Sequence, residues 1–241
     1  MTEMVIPPKS FGRQVLADHV YDQLMVYLID GRLRAGESVS IDGIARELDV
    51  SPTPVREALA RLESTGMVTR VPLEGYRAAP LFTPEELGRL MDARRVIEPA
   101  NAQMAAARCT EELYLELQHT ITDLTEAPHG PSFADFRPYW EADERFHRKI
   151  AEHANTRFLL GAYNSLAGQV QRFRFFGGGL GVTDAEFAIA EHKDILSAFA
   201  IGDSTMAGEA MKAHIHNVKQ RALIESRATH LSALPPEVLD I

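Results

Sequence analysis

The sequence holds a single cysteine, Cys109, in 241 residues. An internal disulfide is thereby excluded, and so is a thiolate cluster for zinc, so any metal must be taken by imidazole and carboxylate. Long apolar runs are missing too. Nothing approaches the roughly 20 residues a membrane span needs, and the opening "MTEMVIPPKS" lacks the basic-then-apolar layout of a secretion signal. A cytoplasmic protein with no membrane partner is expected. There is no HExxH, no GxSxG nucleophile elbow and no Walker loop, so an enzyme is not expected. The glycine run "GGGLG" at 177–181 follows no strand and has no GKT or GxGxxG context, which leaves it a loop. Positive charge is also short: 25 Lys and Arg stand against 34 Asp and Glu, a net −9, which argues against a protein that coats nucleic acid indiscriminately. A local basic surface remains allowed.

What is present is an ordinary globular composition, 45% apolar and 24% charged, enough for one large domain or two modest ones. Residues 14–30 carry Leu16, Val20, Leu24, Tyr27 and Leu28 at helical spacing before Gly31. "GRLRAGESVS" supplies a turn and an extended connection, after which Ser40 can cap a short helix over 41–48. In "SPTPVREALARLESTGMV", Thr53 is the expected N-cap, Pro54 the first helical residue and Gly66 the stop. Two short helices around a tight turn, after a longer one, outline a helix-turn-helix unit. "MVTRV" and "YRAAP", joined by "PLEG", add a β-hairpin and make it a winged helix. Over residues 51–80 four arginines, Arg56, Arg61, Arg70 and Arg77, meet three acids, Glu57, Glu63 and Glu74. The slight local positive balance is compatible with phosphate contact or with a solvated helix face.

From about Thr83 onward the pattern is helical throughout, with a capping box from Thr83 to Glu86 and helices over about 83–108, 111–126, 132–154, 157–176, 184–200 and 204–229. The expected fold is mainly α: a winged helix-turn-helix domain over 1–80, an all-helical bundle over 83–230 and a tail over 231–241. Within the bundle, "WEADERFHRKI" sets Asp143 and His147 four residues apart, on one helix face, where both can reach one cation or make a surface hydrogen bond.

"IARELDVSPTPVREALARLESTGMV" resembles the signature of the GntR family of bacterial transcription regulators, approximately IAxxLGVSRTPVREALxxLExxGLV. Two departures stand out. Pro52 occupies the place of an arginine that commonly approaches bases, which puts base preference in question. Asp49 replaces the usual turn glycine, a position an aspartate tolerates in left-handed backbone. The resemblance implies that Ser51, Thr53 and Arg56, with Arg46 on the preceding helix, face the major groove and its phosphates. It also implies that Gly75 is the wing tip near the minor groove and Arg77 a phosphate contact. "DARRVIEPANAQMAA", "DERFHRKIAEHANTRFL", "EHKDILSAFAIGD" and "AMKAHI" resemble, in order, the elements of the FadR-like branch with its metal-binding FCD effector domain.

In metal-binding members an Asp and a His one turn apart act with one His from each of two later helices. The resemblance therefore implies a site of Asp143, His147, His192 and His214. Such donors suit zinc first, and also nickel, manganese or iron. Arg94 is the implied contact of a small organic-acid effector, against the plainer reading of an ion pair with Glu98. Glu144 neighbours the site but stands a helical step of about 100° round from Asp143. A homodimer on a pseudo-palindromic double-stranded operator, acting as a repressor, is implied as well. Two alternatives stay open: a metal-free regulator sensing an acyl ligand, and a metal-dependent enzyme joined to a DNA-binding module.

Overall fold

The computed structural model describes residues 10–29, 31–128, 133–176 and 184–232. The chain divides into two compact units, Met1–Pro80 and Leu81–Ile241. The glycine run at 177–181 and all but the first residues of the 231–241 tail lie outside the described residues.

In the first unit the order is α1 (Ser10–Ile29), β1 (Ser38–Val39), α2 (Ile41–Glu47), α3 (Pro52–Ser64), β2 (Val68–Val71) and β3 (Gly75–Ala78). Helix α1 packs on α3, and Val20, Leu24, Val55, Ala58, Leu59 and Leu62 are fully enclosed. The side chains from α3 recur at the helical period, so one face of a short helix is buried and the other left to solvent. Ser40 caps α2 as expected, its hydroxyl accepting from the Gly43 amide at 3.0 Å. Asp49 takes φ 51° in the turn between α2 and α3.

Three details differ from the sequence expectation. Helix α3 starts two residues earlier, with Ser51 as N-cap and Pro52 first. A proline's fixed φ and missing N–H suit the first helical position, and Pro52 fills it before Pro54 can. The extended connection contains a third strand, so the sheet runs β1-β3-β2, with Ser38 opposite Arg77 and Thr69 also opposite Arg77. The wing tip is not Gly75. Gly75 pairs with Val71 at the base of the turn, and Leu73, fully exposed at φ 65°, is its outermost residue. Gly75 is still demanded by its own φ of 94°, since a Cβ there would meet nothing within 4 Å and only the backbone conformation selects glycine.

The second unit consists, among the described residues, of α4 (Pro84–Ala106), α5 (Glu111–Glu126), α6 (Phe133–His153), α7 (Arg157–Phe176), α8 (Ala185–Ala200) and α9 (Ser204–Ser232). The capping box forms at the start of α4: the Glu86 amide donates to the Thr83 hydroxyl and the Thr83 amide to the Glu86 carboxylate. Helix α4 lies along α9 and also touches α6 and α7, while α5 bridges α6 and α8. Leu113, Leu117, Phe146, Ile150, Ile195, Phe199, Met211 and Ile215 form the main core. With Ala102, Ala105 and Ala106 of α4, that core joins α4, α5, α6, α8 and α9, the last three of which carry the implied metal ligands. No helix among the described residues is long and apolar enough to cross a membrane.

Candidate functional site

On the first unit, Arg46, Ser51, Thr53 and Arg56 are all exposed. Burying Pro54, Val55, Ala58, Leu59 and Leu62 against α1 forces the intervening positions of α3 outward. The Ser51 hydroxyl makes no capping bond to its own helix, and Arg56 and Arg70 have no ion pair among the described residues. Their hydrogen-bonding capacity is therefore unspent. Arg46 donates back to the Asp42 carbonyl at 3.2 Å. The other two arginines of this stretch are tied down. Arg61 pairs with Asp18 and covers the Tyr21 ring at 4.4 Å, fastening α3 to α1. Arg77 lies 2.7 Å from Glu74 and donates to the Gly36 carbonyl at 3.2 Å, so a phosphate would have to compete with Glu74 for it.

The second unit gathers its polar chemistry inside. Asp143, His147, His192 and His214 are all buried. The nitrogens of the three imidazoles lie within 4.8 Å of one another. His147 Nε2 and His192 Nε2 stand 3.3 Å apart, and Asp143 Oδ1 is 3.5 Å from His192 Nε2. A tetrahedral ion with metal–nitrogen bonds of about 2.0–2.1 Å places its ligand atoms about 3.3 Å from each other. The donors thus fit such an ion. Imidazole nitrogens and a carboxylate oxygen converging in a buried space offer lone pairs that a shared cation can satisfy. Asp143 stands beside the imidazole trio and is not part of its tightest grouping.

Each imidazole is held differently. His214 Nδ1 meets Glu191 Oε2 at 2.7 Å. His147 Nδ1 lies 2.6 Å from Glu98 Oε2, a short contact whose N–H is poorly aligned, so that neither atom completes a hydrogen bond. His192 Nδ1 is buried without a partner, and its ring stacks on Phe146 at 4.3 Å. These contacts leave the Nε2 atoms facing the centre. Burial, followed by the neighbouring His214, pushes the His192 pKa well below its ordinary value. Burial lowers that of His214 as well, against the pull of Glu191. Both rings are neutral near pH 7, the form that binds metal. Burial works to raise the carboxyls, yet Arg94 and His147 hold Glu98 well below the carboxylate range, and Arg221 and His214 hold Glu191 down to about 2.

Arg94 is buried in the ion pair with Glu98, Nε to Oε1 at 2.5 Å. It also lines a small cavity of about 20 Å³ with Trp140, Asp143, His147 and Tyr163. That is room for about one water. Glu144, expected to point away, lines the same cavity and pairs with Arg148. The cavity lies between α4, α6 and α7, so a side chain a step round α6 still reaches it. His216, two positions past His214, is exposed as its spacing requires.

Sequence reasoning did not find Glu191, Arg221 or Phe146. Glu191 is adjacent to His192 and carries no periodic signal, and Arg221 is 30 residues further along. Glu98 stands at a recurrent acidic position of the resemblance, but its approach to His147 comes only from the packing of α4 on α6.

The first unit is thus a winged helix-turn-helix with exposed polar residues at the start of α3, and the second a helical bundle with an internal imidazole cluster. The model of the bacterial regulatory proteins, gntR family, matches residues 16–77. The FCD domain model matches residues 89–217. The chain therefore belongs to the GntR family, in its FCD-containing form, and is a DNA-binding transcription regulator. It is 27% identical over 226 residues to the HTH-type transcriptional regulator YcbG of Bacillus subtilis (strain 168), covering 89% of this chain and 93% of that one. To the HTH-type transcriptional repressor RspR of Escherichia coli (strain K12) it is 24% identical over 217 residues, covering 90% and 93%. The solved structure of E. coli McbR/YncC shares the fold, with a TM-score of 0.66 at 20% identity over 89% of this chain and 98% of that one.

Proposed function

We propose that the protein is a homodimeric repressor whose grip on a pseudo-palindromic operator is set by a small organic acid bound beside a metal ion in the helical unit. The observation that carries this reading is the buried convergence of His147, His192 and His214, 3.3 Å apart at the closest pair, with Asp143 alongside. Those four residues would hold the ion, zinc first, with nickel, manganese and iron suited by the same donors. Four such ligands fill a tetrahedral ion, so a carboxylate oxygen would have to enter as a fifth ligand.

The cavity wall argues for the charge of the effector. Of the acids that line the cavity, Glu98 is matched by Arg94 and Glu144 by Arg148, so on that side of the site only Asp143 is left to offset a divalent ion. One more carboxylate balances it; a second would sit unpaired in a buried site. A small monocarboxylate, with hydroxyl or keto groups, fits best. Arg94 offers it further N–H groups beyond the one spent on Glu98, and the Tyr163 hydroxyl, only weakly engaged with the Glu144 carbonyl at 3.4 Å, offers another. The cavity is too small for such an acid as it stands. Binding would have to move its wall, which couples occupancy to helix positions and thence to the dimer.

On DNA, Arg46, Ser51, Thr53 and Arg56 would face the major groove. The wing, with Gly75 and Arg77, would reach the adjacent backbone. Metal analysis of the purified protein, followed by a thermal-shift series of mono- and dicarboxylic acids with and without chelator, tests the sensing half. The expected result is bound metal and a melting shift by monocarboxylates that chelator abolishes. Protein without metal whose operator binding still responds to a ligand would overturn it in favour of a metal-free sensor.

A further inference from the structure

Outside the ligand set itself, a polar chain links α8 and α9. Arg221 forks onto Glu191, Nη1 to Oε1 at 2.8 Å and Nη2 to Oε2 at 2.9 Å. Its remaining Nε–H donates to Asp184, the N-cap of α8, at 2.8 Å. Glu191 in turn accepts from Asn217 at 3.0 Å and meets His214 Nδ1 at 2.7 Å. One guanidinium thus spends its three faces on two carboxylates, and one of these orients an imidazole. The same order recurs at a second ligand, where Arg94 meets Glu98 and Glu98 meets His147. His192 has no such support.

We propose that Arg221 is a positioning residue for metal binding, acting through Glu191 to fix the ring and the tautomer of His214. The inference rests on the metal reading above. The physical reason is specific to a fork. A bidentate guanidinium holds a carboxylate in plane and in place, so the one oxygen that meets His214 cannot wander. A carboxylate behind a ligating imidazole keeps the proton on Nδ1 and leaves Nε2 free toward the ion. Asp184 anchors the other side of the guanidinium at the start of α8, so α8 and α9, which bring His192 and His214, are registered by the same group. Asn217 completes the acceptor set of Glu191 without supplying charge.

Competition of Zn²⁺ between the full-length protein and a chromophoric chelator tests this, with the absorption spectrum of the Co²⁺ form as a second readout. Arg221→Met is expected to weaken zinc binding by about 10- to 100-fold, the usual consequence of losing a group that orients a ligand, and to change the Co²⁺ spectrum. Arg221→Lys restores the charge without the fork and is expected to fall between. Lys219→Met serves as the structural control. It removes the 2.6 Å ion pair between α9 and Asp92 on α4, two residues from Arg221 and outside the chain to His214, and is expected to bind zinc as wild type does. Should Arg221→Met fail to fold, Glu191→Gln carries the same expectation. Wild-type affinity in a folded Arg221→Met protein overturns the role of Arg221 and leaves the metal site standing. Absence of zinc binding by the wild-type protein overturns both.

Discussion

The two units use polar residues in opposite ways. In the winged helix the groups assigned to DNA are exposed or half-exposed and drawn from one continuous stretch, residues 46–77. In the helical unit the groups assigned to metal and effector are buried, most of them held by a neighbouring side chain, and they come from five helices between residues 94 and 214. A groove and its phosphates are large and already solvated, so a protein meets them with a surface. An ion and a small acid must be taken out of water, which requires a desolvated, preorganised interior.

The largest expected effect breaks the interior side of that contrast. His147→Ala removes a ligand from the centre of the cluster and should cost more metal affinity than the roughly 10- to 100-fold of a supporting residue, measured by chelator competition. Operator affinity of the effector-free protein should change far less. A variant that binds zinc as tightly as wild type would remove His147 from the ligand set. On the exposed side, Arg56→Ala should lower operator affinity by about 1–3 kcal/mol without altering zinc binding or thermal stability. Equal losses on specific and random DNA would reassign Arg56 from base to phosphate contact.

A smaller effect follows from protonation. The pKa values of His192 and His214 are lowered in the folded state, so below their ordinary value near 6.5 the unfolded chain binds protons that the folded one refuses. Stability of the metal-free protein is full above that pH. It should fall as the pH drops, by up to about 1.4 kcal/mol per unit for each histidine. Urea titrations between pH 7.5 and 5 check this, and a flat profile would mean that the rings are charged or solvated. The smallest change sharpens the first unit alone. Ser40→Ala deletes the cap of α2 and should cost about 1 kcal/mol, seen as a lower urea midpoint of the winged helix with zinc binding unchanged.

Much of the first unit is local in origin and therefore legible. The apolar period of α3, the cap at Ser40 and the left-handed turn at Asp49 are each settled by a few neighbouring residues. The misplacements there are local too: with Pro52 and Pro54 both able to open a helix, the choice of Pro52 moved the start of α3 by two residues. The family resemblance puts Gly75 at the tip, whereas its positive φ serves the base of the hairpin loop, opposite Val71. In the second unit the helices could be read from period and capping, two of them, 111–126 and 157–176, with the expected bounds. Asp143 and His147 could be paired because one turn separates them. Nothing local joins Arg221 to His214 through Glu191, or lets Phe146 of α6 carry the ring of His192.

By itself, then, the amino-acid order determined the helices, their caps, the winged-helix outline and, through family resemblance, which residues to inspect. Those properties depend on hydrogen bonds and side-chain spacing within a turn or two of helix. Tertiary packing decided which nitrogens converge, which carboxylates stand behind them, that Arg94 is matched by Glu98, and that Glu144 enters the cavity wall. Such facts depend on the distances between helices far apart in the chain, and those distances are set by how the shared core fills.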